Sequence, residues 1–282
     1  MIYNIDALHT FADSLRSEFI YDTAAAPSPP EKKRKLLEPE GMVTLRGHTA
    51  DINSVAFSPD GRFVVTSSTD GTARVWDAAT GATLGELRGH GKSVNSASFS
   101  PDGKFIVTAS DDATVRLWDA SHFAFVKNVG GTFPRGVSSA EYSPDGHYIV
   151  AASGEAAWIC DPGRGEVVRK LEGHTGQVNS ASFSPDSHLI VTASGDNTAR
   201  VWNAQTGESI ATLPDHKGPV LNAMFSPDGQ TVFTASEDYA TRIYPRESFA
   251  PFEELRGLID QRVARELTPK EREDYLKEPE SS

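Results

Sequence analysis

An all-β fold built from five copies of one four-stranded unit is what this sequence predicts, and three observations carry that expectation. An aromatic residue ahead of a Ser-Pro-Asp turn falls at Phe57, Phe99, Tyr142, Phe183 and Phe225, spacings of 42, 43, 41 and 42 residues. Each unit holds short strand-like runs separated by turn residues, and no connection is long enough to cross over between parallel strands. No single unit can bury its apolar faces alone, so successive units must stack as blades about an axis.

The first unit shows how the residues dictate the strands. Asn53–Phe57 and Phe63–Ser67 flank Ser58-Pro59-Asp60-Gly61, where proline presets φ at one corner and glycine accepts positive φ at the other. Asp70-Gly71 makes a second hairpin into Thr72–Trp76, and Thr83–Leu87 supplies the fourth strand. The second unit repeats this from Gly89-His90 to Trp118-Asp119. Gly-His near the start and Trp-Asp near the end, at a period in the forties over residues 42–244, resemble the WD-repeat family of β-propellers.

That resemblance implies how the chain closes. The last unit stops at Tyr244 with three strands, while Met42–Leu45 precedes the first Gly-His as Glu86–Leu87 precedes the second. In the family, such an N-terminal strand completes the last blade, which makes Met42–Leu45 the expected clasp for Thr241–Tyr244. The family usually has seven blades, and residues 1–41 are too short to supply two more. The expectation is a closed five-bladed ring; the alternative is an incomplete larger ring that recruits blades from another chain and self-associates through its open edges.

Outside the propeller, taken as residues 42–245, the organisation is simpler. Residues 1–21 place Ile2, Ile5, Leu8, Leu15 and Phe19 at helical spacing, an amphipathic helix. Residues 22–41 read as a proline-rich flexible linker carrying Lys32-Lys33-Arg34-Lys35. Residues 246–282 read as a helical tail, with Leu255, Leu258, Ile259, Val263 and Leu267 in helical register. Its Arg262–Arg272 stretch resembles the ending of bacterial WD-repeat proteins, which implies a sensor or regulatory fragment of a larger signalling protein as one reading.

Composition excludes several classes. A net charge of −12 is wrong for a general nucleic-acid binder, which needs a basic face for phosphates. One cysteine, Cys160, leaves no internal disulfide framework, and no apolar run is long enough for a membrane span. With no secretory signal pattern, a cytoplasmic protein is expected, or a nuclear one if Lys32–Lys35 acts as an import patch. No nucleophile–base pair, cofactor loop or metal-ligand set is apparent, so neither catalysis nor a cofactor is expected.

Histidines and aspartates do recur, in the sets His48/Thr66/Asp70/Trp76, His90/Thr108/Asp112/Trp118, His174/Thr192/Asp196/Trp202 and His216/Thr234/Asp238/Tyr244. The family resemblance implies a buried hydrogen-bond chain from indole through Thr and His to Asp, and an indole that only donates and a carboxylate that only accepts suit its two ends. The third unit has Phe133, Ala151, Glu155 and Cys160 instead, with Trp158 two residues before the cysteine; either the blade has drifted or it is specialised to hold a ligand. Partners of the family often dock on the loops before each first strand. Those positions, with Arg135 beside them in the third unit and the residue before each hairpin aspartate added, give a rim of Asp51, Asn53, Asn95, Asp111, Arg135, Gln177, Asn179, Leu221 and Glu237. A non-catalytic scaffold binding a basic or polar peptide follows. A five-bladed glycan binder is the small-ligand alternative, although these rims lack a repeated aromatic for stacking.

Overall fold

The computed structural model describes residues 42–250, and the helix, linker and tail expected at 1–21, 22–41 and 251–282 lie outside them. The described chain is five antiparallel sheets in sequence order, here called blades. The first is β1 (Ile52–Phe57), β2 (Phe63–Ser68), β3 (Ala73–Asp77) and β4 (Thr83–Leu87). The second is β5 (Val94–Phe99), β6 (Phe105–Ser110), β7 (Thr114–Asp119) and β8 (Ala124–Thr132). The third is β9 (Val137–Tyr142), β10 (Ile149–Ser153), β11 (Ala156–Asp161) and β12 (Glu166–Glu172). The fourth is β13 (Val178–Phe183), β14 (Leu189–Ser194), β15 (Ala199–Asn203) and β16 (Ser209–Leu213). The fifth has three strands, β17 (Val220–Phe225), β18 (Thr231–Ser236) and β19 (Thr241–Pro245), followed by a 3₁₀ turn at Arg246–Ser248. No helix among the described residues is long and apolar enough to cross a membrane.

Each blade is held by the turns its sequence encodes. At the first hairpin the Ser58 hydroxyl donates to Asp60 (2.6 Å), and Gly61 takes φ 71°. The second, third and fourth blades repeat the geometry at Ser100, Ser143 and Ser184, and the fifth at Ser226. The core lies between blades. Val65, Val75 and Leu87 of the first blade meet Val94, Ala97, Ile106 and Trp118 of the second, all essentially fully buried. Because pleated side chains alternate, one face of each blade belongs to the joint before it and the other to the joint after.

The expected closure does not form. Met42–Leu45 adopts no strand, the fifth sheet ends at β19, and Val43 and Leu45 lie against the Gly81 turn of the first blade. Leu87, Leu171 and Leu213, which stand three residues before a histidine or Gly-His histidine as Leu45 does, are buried, whereas Leu45 is only partly so. Both end faces stay open: Ile52, Val55 and Phe57 on the first blade, Met224 and Ile243 on the fifth, are all at least half exposed. The apolar side chains of the segment, Val43 and Leu45, are packed against the Gly81 turn of the first blade and so do not seat it beside β19.

Candidate partner-binding rim

The His/Thr/Asp sets converge at one end of their blades. In the fourth blade the Trp202 indole donates to Thr192 Oγ1 (2.8 Å), His174 Nε2 lies 2.7 Å from the same oxygen, and His174 Nδ1 lies 2.8 Å from Asp196. One proton per link satisfies the chain: indole to Thr, Thr hydroxyl to the unprotonated Nε2, and Nδ1–H to carboxylate. Trp76–Thr66–His48–Asp70 and Trp118–Thr108–His90–Asp112 repeat it at 2.8–2.9 Å. In the fifth blade His216 bridges Thr234 and Asp238, but the Tyr244 hydroxyl donates to the Pro214 carbonyl at 2.6 Å. Burial lowers the pKa of His90 and His174, against the raising effect of their aspartates, which keeps those rings neutral.

The aspartates do more than hold histidine. Each accepts a backbone N–H from the residue after the histidine: Thr49, Gly91, Thr175 or Lys217. In three blades a threonine two residues on, Thr72, Thr114 or Thr198, donates to the other oxygen at 2.6 Å. Burial alone would raise Asp196, but the Thr198 hydroxyl, His174 and the Thr175 N–H outweigh it and hold the group at about 2. Those threonines were not singled out from the sequence, although Asp-x-Thr in three of five units was there to be read. Among the described residues no three His, Cys, Asp or Glu side chains converge as a metal site.

The third blade is built differently. Phe133 and Ala151 are buried without polar partners, Cys160 occupies the register of the tryptophans, and burial pushes its thiol up to about 12. Trp158 pairs with Ala151 across the strands as Arg74 pairs with Thr66, so it stands in the place of an arginine. Its indole donates to the Ser153 carbonyl (3.3 Å), and Lys170 Nζ sits 4.9 Å from the ring centre. Glu155, at the aspartate position, is exposed; the residue after Phe133 is Pro134, which has no N–H to offer it.

The rim residues form one connected line. In four blades the loop before the first strand is bonded to the inner hairpin turn: Thr69 N–H to Asp51 O, Asp111 N–H to Ser93 O, Gly195 N–H to Gln177 O, Glu237 N–H to Pro219 O. Between blades, Asn53 Nδ2 donates to the Val94 carbonyl (2.8 Å), Asn95 to Val137 (3.0 Å) and Asn179 to Val220 (2.8 Å). Gln177 reaches back to Ser138 of the third blade (3.1 Å), and Asn95 also donates to Asp111 (2.7 Å). These asparagines are therefore joints between blades as well as surface groups. Asp51, Asp111, Arg135, Gln177 and Glu237 are exposed, and Leu221, at the asparagine position of the fifth blade, is 47% exposed.

The WD40 pattern (WD domain, G-beta repeat) matches residues 40–77, 81–119, 165–203 and 207–244, more than half of the chain. The chain belongs to the WD40 family. Between the matches, residues 120–164 are left out, from the fourth strand of the second blade through the first three strands of the third, where the geometry departs from the other blades. Individual WD40 blades are similar to those of eukaryotic proteins. One is the target of rapamycin complex subunit wat1 of Schizosaccharomyces pombe, 47% identical over 36 residues, 13% of this chain and 12% of that protein. Another is the Saccharomyces cerevisiae target of rapamycin complex subunit LST8, 46% over 39 residues, 14% and 13%. A third is Protein Mut11 of Chlamydomonas reinhardtii, 53% over 38 residues, 14% and 10%. Each match spans about one blade, and none of these relatives supports the bacterial affinity read from Arg262–Arg272.

The hydrogen-bond chain yields a direct expectation. Thr192→Val keeps the volume but strands the Trp202 indole and His174 Nε2, which should destabilise by about 1–3 kcal/mol. Ala151→Val in the third blade has no such chain to break. A thermal melt in which Thr192→Val behaves like a surface substitution would refute the assignment.

Proposed function

We propose that the chain is a non-catalytic scaffold that binds a protein or peptide partner along this rim. The observation that carries the reading is the line of loops crossing all five blades, held in place by side-chain hydrogen bonds between neighbours, three of them to backbone carbonyls and Gln177 to the Ser138 hydroxyl. A surface whose loops are tied down before binding loses less entropy when a partner docks. Of the rim residues, Asp51, Asp111 and Glu237 carry exposed negative charge and Arg135 is the main cationic exception, which favours a basic or polar peptide segment. The names of two relatives describe subunits of a multiprotein complex, which accords with a role in assembly.

Exposed charges mostly tune association, whereas an apolar anchor sets dissociation. Leu221 is the exposed apolar group on the line, so Leu221→Asp should speed dissociation at least tenfold. Asp51→Ala and Glu237→Ala should instead slow association and flatten its salt dependence. Affinity capture with the wild-type chain, against Leu221→Asp combined with Asp111→Arg, identifies the partner, and surface-binding kinetics then separate the two effects. A partner whose affinity survives the double substitution docks elsewhere.

A further inference from the structure

The two end blades carry the two halves of a joint that the described residues do not make. In each joint between blades, one half is the first strand of the later blade, where Val94, Ala97 and Phe99 or their counterparts pack against the blade before. The first blade has Ile52, Val55 and Phe57 at these positions, and Val55 is 64% exposed where its alanine counterparts are buried. The other half comes from the second and third strands of the earlier blade, as with Val65 and Val75 or Val191 and Val201, all fully buried. The fifth blade has Phe233 and Ile243 there, and Ile243 is 61% exposed. A terminal repeat that faces solvent turns its outer surface polar. This one has not: Met224 stands where other units have Ala56, Ser98 or Ser182, and it is half exposed.

The backbone groups match as well. Ser54 accepts the Ala97 N–H across the first joint, and one serine per blade does the same in the next three joints. Asn222 holds the serine position in the fifth blade, and Val55 the alanine position in the first. β19 has no fourth-strand neighbour among the described residues. In a complete blade that neighbour is the segment leading into the next blade, and it rests on the next blade's last hairpin turn. Gly85 lies against Phe123, the Asn128 carbonyl against Gly165, and Arg169 against Gly207. Val43, at the same distance ahead of its own repeat, lies against Gly81. Residues 43–45 therefore hold, relative to the first blade, the place of a fourth strand that belongs to a preceding blade.

We propose that a second copy of this chain supplies that preceding blade: the fifth blade of one copy docks on the first blade of the next, and β19 pairs with residues 43–45 of its neighbour. The occupant follows from the match, since each end of the chain presents the half-joint that the other end lacks. One contact covers both apolar faces and the free β19 edge. Val55 for alanine and Phe233 for valine make both halves bulkier than those within the chain, so this joint packs less tightly and opens on dilution. Ten blades exceed the four to eight of a single propeller, so the copies climb along the axis, and a head-to-tail contact that does not close propagates as an open chain. The contact does not rest on the peptide-binding reading of the rim.

Sedimentation velocity of the full chain between about 1 and 200 µM, a span that brackets a micromolar Kd, tests this. The wild type is expected to grow past the dimer as concentration rises. Val55→Asp disables the first-blade face and Ile243→Asp the fifth; both side chains are exposed, so the fold should tolerate them, and each variant alone should stay monomeric. An equimolar mixture of the two should stop at a dimer, because one intact face of each remains. A wild type that is monomeric throughout leaves the faces to solvent, to residues 251–282 or to a different protein, and overturns the proposal. So does a mixture that stays monomeric, or either variant dimerising alone, which marks a two-fold contact between like faces. Phe57→Glu and Met224→Glu, also at exposed positions, replace the pair if circular dichroism shows that a variant has not folded.

Discussion

Trp118→Ala is expected to lower the stability of the folded chain by about 3–5 kcal/mol, the range for emptying a large buried aromatic site. Trp118 is 2% exposed and packs across the first joint against Val65, Val75 and Leu87, while its indole donates to Thr108 (2.8 Å). Its removal opens a cavity between two blades and leaves the Thr108 hydroxyl short of a partner. Cys160→Ala, at the same register of the third blade, should change stability by about 1 kcal/mol, since one small buried group is lost. Urea unfolding of both variants checks this, and equal destabilisation would mean that the tryptophans do not hold the joints.

Glu141→Gln is expected to stabilise the protein at pH 8 by on the order of 3 kcal/mol, or roughly 6–12 °C in Tm. Glu141 stands on β9 where the second and fourth blades have Ser98 and Ser182, at the joint with the fourth blade. Burial there raises its carboxyl to about 7, against the Phe183 N–H and Ser182 hydroxyl that bond to it. The sign follows from linkage. An acid whose folded pKa lies above its unfolded value of 4.5 favours folding below that value, and the benefit is lost as pH rises to about 7. Glutamine keeps an acceptor for the Phe183 N–H (2.8 Å) without the charge. The stability difference between the two proteins should therefore be near zero at pH 4.5 and grow to its full size by pH 8. A flat difference across that window would place the carboxylate in solvent. Taking the difference removes the opposing slope of His90 and His174, whose lowered pKa values make the wild type gain stability as pH rises through 6.5.

Everything that repeats within one unit was legible before any coordinates. The Ser-Pro-Asp turns, the strand runs between them and the His/Thr/Asp sets follow from period-two alternation, turn chemistry and spacing, all local in sequence. So was the exception: Phe133, Ala151 and Glu155 announce a third blade without the polar chain, and the structure adds that Trp158 has taken an arginine's register. What could not be read is what one unit does to the next. Asn53, Asn95 and Asn179 appear in the sequence as loop polar groups, yet each ends on a backbone carbonyl 41 or 42 residues away. Glu141 looks like any charged strand residue until the fourth blade covers it. Closure failed for the same reason. Met42–Leu45 has the pattern of a fourth strand, but whether it reaches β19 depends on the angle added at four successive joints. That angle is decided by side chains packing across blades, which no local pattern encodes.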